Sequence, residues 1–219
     1  VIVSKFSLYI ADLTHTSSGI MSNTHPLGSA YVAAYCKEKF KDVIDINLFK
    51  FPNDLIKSLS IKLPQVLAFS NYSWNLELSY EIAKWVKSIN PNIVIVFGGP
   101  NFPTNIKEQK DFLGYRSHID FYIQSEGEIG FVNLLEQLIS AKFDYTKLKN
   151  NKIVTNNSVY LWGNDIYVGD IERISDVNIL PSPYLTGMLD VFFDMPLSPM
   201  LETTRGCPFS CTFCSDGLK

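Results

Sequence analysis

Three cysteines stand together in Arg205-Gly206-Cys207-Pro208-Phe209-Ser210-Cys211-Thr212-Phe213-Cys214, a C-x3-C-x2-C spacing within the last thirteen residues. Thiolates this close on one loop have the reach to hold three irons of a four-iron cluster, whose usual complement is four cysteines. The fourth iron is then open, and an open coordination position is what separates a reactive metal centre from a structural one. The competing chemistry is a zinc knuckle that borrows Cys36 or a histidine, although zinc sites favour paired C-x2-C elements and only one such pair is present. Four cysteines also allow two disulfides, but Cys36 stands alone. That distribution reads as a ligand cluster rather than a covalent framework.

Three further stretches carry small or polar residues at the ends of apolar runs: Asn71-Tyr72-Ser73, Gly98-Gly99-Pro100 and Ser125-Glu126-Gly127. Without side chains, Gly98 and Gly99 let a ligand approach the backbone, although a Gly-Gly after a strand is also an ordinary tight turn. Glu126 and Glu128 invite a paired-carboxylate reading. Ser125-x-x-Glu128 ahead of an apolar helix reads instead as a capping box, with acids favoured by the helix dipole. No G-x-G-x-x-G follows the first apolar run and no G-x4-G-K-[ST] occurs, so the fingerprints of dinucleotide and ATP sites are missing. His25 precedes Pro26 at a helix start and His118 precedes a strand, positions that suggest no chemistry.

The elements that position these residues alternate in a β-α-β-α pattern up to about Ser140. Strands are expected at Lys5–Ala11, Val43–Phe49, Gln65–Ser70, Asn92–Phe97 and Asp120–Gln124. Helices are expected from Gly28 to Phe40, with Tyr31, Ala34 and Tyr35 on one face, and over Asn53–Ser60 and Asn105–Leu113. Two more are marked by apolar stripes, one at Leu78, Ile82, Val86 and Ile89 and one at Phe131, Leu134, Leu135, Leu138 and Ile139. Right-handed crossovers between five such strands give a flavodoxin-like, doubly wound α/β sheet, parallel and covered on both faces. Its ligand belongs beyond the carboxyl ends of the strands, where strand order reverses. The loops there are 12–28, 70–74, 98–103 and 125–128.

After Ser140, paired turn residues separate short runs at Lys152–Thr155, Ser158–Trp162 and Asp165–Val168, read as a small β-ribbon. A proline-marked linker then leads to Met200 and the cysteines. The expected organisation is residues 1–142 as a ligand-binding domain, 143–198 as ribbon and linker, and 199–219 as the start of another domain.

Composition narrows the partners. In 219 residues, 19 Lys and Arg face 22 Asp and Glu for a net charge of −3, so a nucleic-acid role lacks a basic stripe. No run approaches the length of a membrane span and no cleavage-type leader is evident, which gives a cytoplasmic expectation and no membrane partner.

The cysteine run resembles the cluster loop of the radical S-adenosylmethionine enzymes, and Phe213 matches their aromatic position beside the adenine. The rest of the chain resembles the subset of that family with an N-terminal cobalamin-binding domain: 64–75, 90–103 and 120–131 look like its third to fifth strands with their ligand loops. The resemblance implies a 4Fe-4S cluster on Cys207, Cys211 and Cys214, S-adenosylmethionine on the open iron, and cobalamin in the sheet crevice. Cobalamin contacts are then expected from Asn71, Tyr72, Ser73, Gly98, Gly99, Pro100, Ser125, Glu126 and Gly127. It implies a methyltransferase working through a 5′-deoxyadenosyl radical on a small-molecule substrate, with a reductant such as flavodoxin or ferredoxin. Only five residues follow Cys214. The catalytic barrel should need on the order of 200 more, so the chain is expected to be an inactive N-terminal portion of the enzyme. Cobalamin domains of the mutase type carry Asp-x-His-x-x-Gly; Asp12-Leu-Thr-His15-Thr-Ser-Ser-Gly19 has one extra residue on each side of the histidine, and His15 is not expected on cobalt. The other class considered is a cobalamin carrier or sensor with a zinc-binding cysteine tail.

Overall fold

The computed structural model describes residues 5–17, 19, 22–207, 209, 211 and 212. Five parallel strands, β1 (Phe6–Ala11), β2 (Ile44–Phe49), β3 (Val66–Ser70), β4 (Val94–Gly98) and β5 (Phe121–Ile123), lie in the order 2-1-3-4-5. Between them run α1 (Leu27–Phe40), α2 (Pro52–Ile61), α3 (Leu76–Ile89) and α4 (Ile106–Gly114), and after β5 comes α5 (Gly127–Ser140). Local sequence sets several boundaries. Pro52 supplies the preset φ of a first helical turn, and the Asn105 side chain accepts from the Lys107 and Glu108 amides to cap α4.

Alternation along each strand sorts the core into two layers. Leu8, Val66, Val94 and Phe121 pack under α1 and α5, while Tyr9, Leu67, Ile95 and Tyr122 pack under α2, α3 and α4. Strands apolar on both faces are what a parallel sheet covered by helices on both sides requires.

The sheet has seven strands, not five. The expected ribbon forms β6 (Ser158–Trp162) and β7 (Asp165–Val168), but β6 pairs antiparallel with β5 through Tyr122↔Val159 and Ile123↔Ser158. Val159 and Tyr160, both fully buried, continue the two-faced alternation, so the hairpin covers what would otherwise be an apolar edge. Residues 152–155 form a turn and an irregular run instead of a strand. They lie against Gly169, where a Cβ would sit 2.0 Å from the Thr155 carbonyl.

Two helical stripes differ from expectation. In α3 the sheet-facing set is Ser79, Ile82, Ala83 and Val86, and Ile89 is left 54% exposed in the last turn. In α1, Leu27, Ala30, Ala33 and Ala34 are buried while Tyr31 is half-buried, because this helix packs on a second side as well. There the proline-marked linker forms a third cluster, Leu189 and Phe192 with Tyr184, Met195 and Leu197 against Leu27 and Ala30. From residue 199 onward the described residues contain no strand, since an extended segment becomes one only by pairing. Among the described residues no helix is long and apolar enough to cross a membrane.

The amino ends of the strands hold a buried charge cluster. Lys87 pairs with Asp120 at 2.7 Å, and the same carboxylate oxygen accepts from the Ile95 amide. On α6 (Tyr145–Asn150), Lys149 points its ammonium among Phe121, Tyr145, Tyr160 and Trp162 and donates to the Leu161 carbonyl. Burial lowers its pKa from 10.5 to about 8, partly countered by Asp120. Between those two values the unfolded chain holds a proton that the folded chain has released, so stability rises with pH across that window. Below it the amine is charged in both states and the full cost stands, about 3 kcal/mol. Lys149→Met should therefore raise the unfolding free energy at pH 7 by roughly 2 kcal/mol, the lost Leu161 hydrogen bond being deducted. Urea unfolding at pH 7 and pH 10 checks this: the advantage should be nearly gone at the higher pH, and none at pH 7 would show that the aromatic ring holds the ammonium without cost.

Candidate functional site

Strand order runs outward from β1 in both directions, so the reversal lies between β1 and β3. The loops after these strands, 12–26 and 71–75, diverge there, and the crest of the sheet is built around them.

Asp12, directly after β1, accepts from Lys50 Nζ at 2.9 Å through Oδ2 and from the Ser70 hydroxyl through Oδ1. It thereby ties the carboxyl ends of three neighbouring strands. Lys50 is 2% exposed and also donates to Ser22 Oγ. Asn75 joins the 71–75 loop to the first loop by donating through Nδ2 to the Leu13 carbonyl, while its side-chain Oδ1 accepts from the Tyr72 amide.

A second network locks the loops after β3 and β4. Asn71 is fully buried; its Nδ2 donates to the Asn101 carbonyl and to the Tyr122 hydroxyl, which in turn donates to the Gly99 carbonyl. Gly99 has φ +119°, and a Cβ there would lie 2.8 Å from the Asn71 carbonyl oxygen. A Cβ on Gly98 would meet the Ile123 carbonyl at 3.3 Å, and one on Gly127 would meet Val32 Cγ2 at 3.2 Å. All three positions bring protein elements close together, which accounts for them without a ligand. Burial pushes up the phenol pKa of Tyr122, and it does the same at Tyr72, where the Asp12 carboxylate adds to the effect.

Of the expected contact residues, Ser73, Pro100 and Ser125 are exposed on the crest, and Tyr72, Gly98, Gly99, Glu126 and Gly127 are half-buried. Tyr72 stacks on Trp74 at 4.5 Å. Asn71 faces inward and belongs to the internal network. His15 Nε2 lies 2.8 Å from the Trp74 carbonyl oxygen, so that nitrogen carries the proton and donates. His25 is 1% exposed among Tyr184, Phe192 and Phe193, and burial lowers its pKa. His118 Nδ1 meets the Tyr80 hydroxyl.

The capping box does not form. Ser125 has φ +61°, Glu126 is the residue that precedes the helix, and neither side chain caps the α5 amides. Glu126 Oε2 instead accepts from the Ile174 amide, and its carbonyl accepts from Asn157 Nδ2. Glu128 is 3% exposed and pairs with Arg205 at 2.6 Å. The two acids thus fasten later segments of the chain onto the β5 end of the crest.

Cys36 is buried on α1, where burial, reinforced by Glu128, drives its thiol pKa far up, so it is no donor for a cysteine-tail metal. Cys207 and Cys211 are exposed free thiols, while Phe213 and Cys214 lie outside the described residues. The cysteine segment is on the crest side of the sheet: the Ser198 amide donates to the Asn23 carbonyl and the His25 amide to the Ser198 carbonyl. The Asp12 and Arg205 pairings were not read from sequence. The one available signal was their position, Asp12 immediately after a strand and Arg205 immediately before the cysteines.

Known proteins are similar to this chain in sequence and in fold. The chain is 33% identical over 161 residues to the cobalamin-dependent radical SAM methyltransferase TokK of Streptomyces tokunonensis, which covers 70% of this chain and 22% of that protein. It is 32% identical over the same length to a 2-(S-pantetheinyl)-carbapenam-3-carboxylate methyltransferase of Streptantibioticus cattleyicolor, again spanning 22% of the relative. The structure of the cobalamin-dependent S-adenosylmethionine radical enzyme OxsB with aqua-cobalamin and S-adenosylmethionine bound superposes with a TM-score of 0.69 at 19% identity, over 97% of this chain and 28% of that one. Residues 19–135, more than half of the chain, match the family described as the B12 binding domain, and the chain belongs to that family.

Proposed function

We propose that this chain is the cobalamin-binding portion of a radical S-adenosylmethionine methyltransferase. The observation that carries the reading is the placement of one B12-type crest and one cysteine segment on the same side of the sheet, joined through Ser198 and Arg205. The two methyltransferase relatives favour it over a carrier with a zinc tail.

The residues on the crest fit a corrin with an extended nucleotide tail. Ser73, Pro100 and Ser125 offer exposed backbone and small side chains, and the Asn71–Tyr122–Gly99 bonds hold those loops in place before any ligand arrives. Tyr72, Gly98, Gly99, Glu126 and Gly127 line the same rim. His15 spends Nε2 on the Trp74 carbonyl, so that nitrogen would not be offered to a bound corrin. Cys207 and Cys211, exposed and unpaired, have the donor chemistry of a 4Fe-4S cluster, with Cys214 as third ligand. When bound, the cluster would supply the electron that cleaves S-adenosylmethionine, and the corrin a transferable methyl group. Phe213 would lie beside the adenine. The organisation we assign is a cobalamin domain over 1–142, with the β6–β7 hairpin completing its sheet, a connecting region to 198, and the start of the catalytic domain from 199. The substrate is a small molecule, and a flavodoxin or ferredoxin supplies electrons.

Titration with hydroxocobalamin, followed by electron paramagnetic resonance of the Co(II) form, tests the crest. Binding without nitrogen hyperfine splitting is expected in wild type and in His15→Ala alike; absence of binding removes the assignment, and splitting that vanishes in His15→Ala would put the histidine on cobalt. Iron analysis after anaerobic reconstitution tests the cysteines. Alanine at Cys207, Cys211 or Cys214 should abolish the cluster and Cys36→Ala should leave it intact, whereas normal iron in Cys211→Ala would contradict the ligand set.

A further inference from the structure

Residues 198–207 cross the crest almost without cover: in this run only Arg205 is withdrawn from solvent. Its guanidinium donates through Nη2 to Glu128 Oε1 at 2.6 Å and through Nε to Glu202 Oε2 at 3.0 Å, and it lies 5.1 Å from the centre of the Tyr31 ring on α1. Glu128 sits in the first turn of α5, next to the 125–127 loop, with its side chain 4% exposed. An ion pair of this kind is unlike a solvated surface pair, because removing either partner leaves a charge stranded away from water.

At its other end the segment is fixed by Ser198, whose amide and carbonyl bond to Asn23 and His25 in the loop after β1, and in between Met200 is held by the Tyr184 hydroxyl. One end of this strap is therefore fastened to the loop after β1 and the other to the first turn of α5, and the second fastening lies two residues ahead of Cys207.

We propose that Arg205 is a positioning residue: clamped between Glu128 and Glu202, it sets the distance and orientation of the cysteine loop relative to the cobalamin crevice. The inference rests on the reading given under Proposed function. It explains the choice of arginine, since a planar guanidinium engages two carboxylates and an aromatic face together, whereas an ammonium is a point charge on a flexible stem. A one-sided anchor would leave the loop free to swing about Ser198.

The test uses the full-length protein in two arms. In the cofactor-free arm, thermolysin cleavage at Leu201, which is 76% exposed, is timed. Arg205→Gln should accelerate it roughly tenfold or more through local release of the strap. In the loaded arm, the protein carries both iron-sulfur cluster and cobalamin, and pulsed dipolar electron paramagnetic resonance reads the separation of Co(II) and the reduced cluster. Wild type should give one narrow distance; Arg205→Gln should bind cobalamin as tightly but lose the narrow distance, and Arg205→Lys should recover part of it. The pair Arg205→Gln with Glu128→Gln removes the stranded carboxylate, so a folded protein is available should the single variant fail, and it too should lose the narrow distance. Retention of that distance and of wild-type cleavage in the double variant overturns the proposal. Failure of wild type to take up cobalamin or iron would overturn the functional reading instead, and the cleavage arm would then decide whether Arg205 is the anchor.

Discussion

The crest of this sheet depends on one carboxylate. Asp12 meets Lys50 from the end of β2 and Ser70 from the end of β3, so three adjacent strands finish at a common level. With Lys50 at 2% exposure, the pair gives up much hydration, and its net contribution to stability is small by the usual balance of desolvation against attraction. What it fixes is geometry. The loops after β1 and β3 diverge from this point, and a loosened Asp12 would let the crevice between them change width. The Asn75 bond to Leu13 acts across the same gap and in the same sense.

The glycines tell a related story. Gly98, Gly99 and Gly127 each stand where a Cβ would strike the protein's own neighbours, Ile123, Asn71 and Val32. The rim is thin because the elements beneath it are drawn close together, and a ligand that rests there meets backbone held rigid from below. Small residues at the end of a strand thus serve packing first, and any close approach by a ligand is a consequence of that packing.

Strand and helix order was legible in the sequence, because period-2 and period-3.6 patterns are local. Asn92-Ile-Val-Ile-Val-Phe can hardly be anything except a buried parallel strand. The errors came where a distant partner decides. Ser158–Trp162 reads as a strand locally, yet only Tyr122 and Ile123, more than thirty residues earlier, make it part of the main sheet. Ser125-x-x-Glu128 has the letters of a capping box, but Glu128 is taken by Arg205 across 77 residues and Ser125 adopts a left-handed backbone. The proline-marked linker packs on α1, since its apolar residues meet a helix face that the sheet leaves open. Among the candidate site residues, Tyr72, Ser73, Pro100 and Ser125 fall on the rim as topology demands, while Asn71 turns inward because a fully buried amide finds more partners there than on the surface.

Perturbed titration is often taken as a guide to function, and here it points to two ends of the molecule for different reasons. Lys149 and Asp120, both shifted chiefly by burial, sit at the amino ends of the strands, opposite the crest. With Lys87 they make a structural charge cluster whose cost is met by hydrophobic burial around it, and no ligand-bearing loop comes near. At the crest burial strengthens the hold of the Tyr72 and Tyr122 phenols on their protons, and it lowers the pKa of His25 in the loop after β1. Among its described residues the crest has each of these shifted groups moved away from neutrality. Its contribution is position: fixed strand ends, a rigid rim, and an arginine that carries that rigidity over to the cysteines. A domain of this kind suits chemistry performed by bound cofactors, where the protein's task is to hold reacting groups at a set separation.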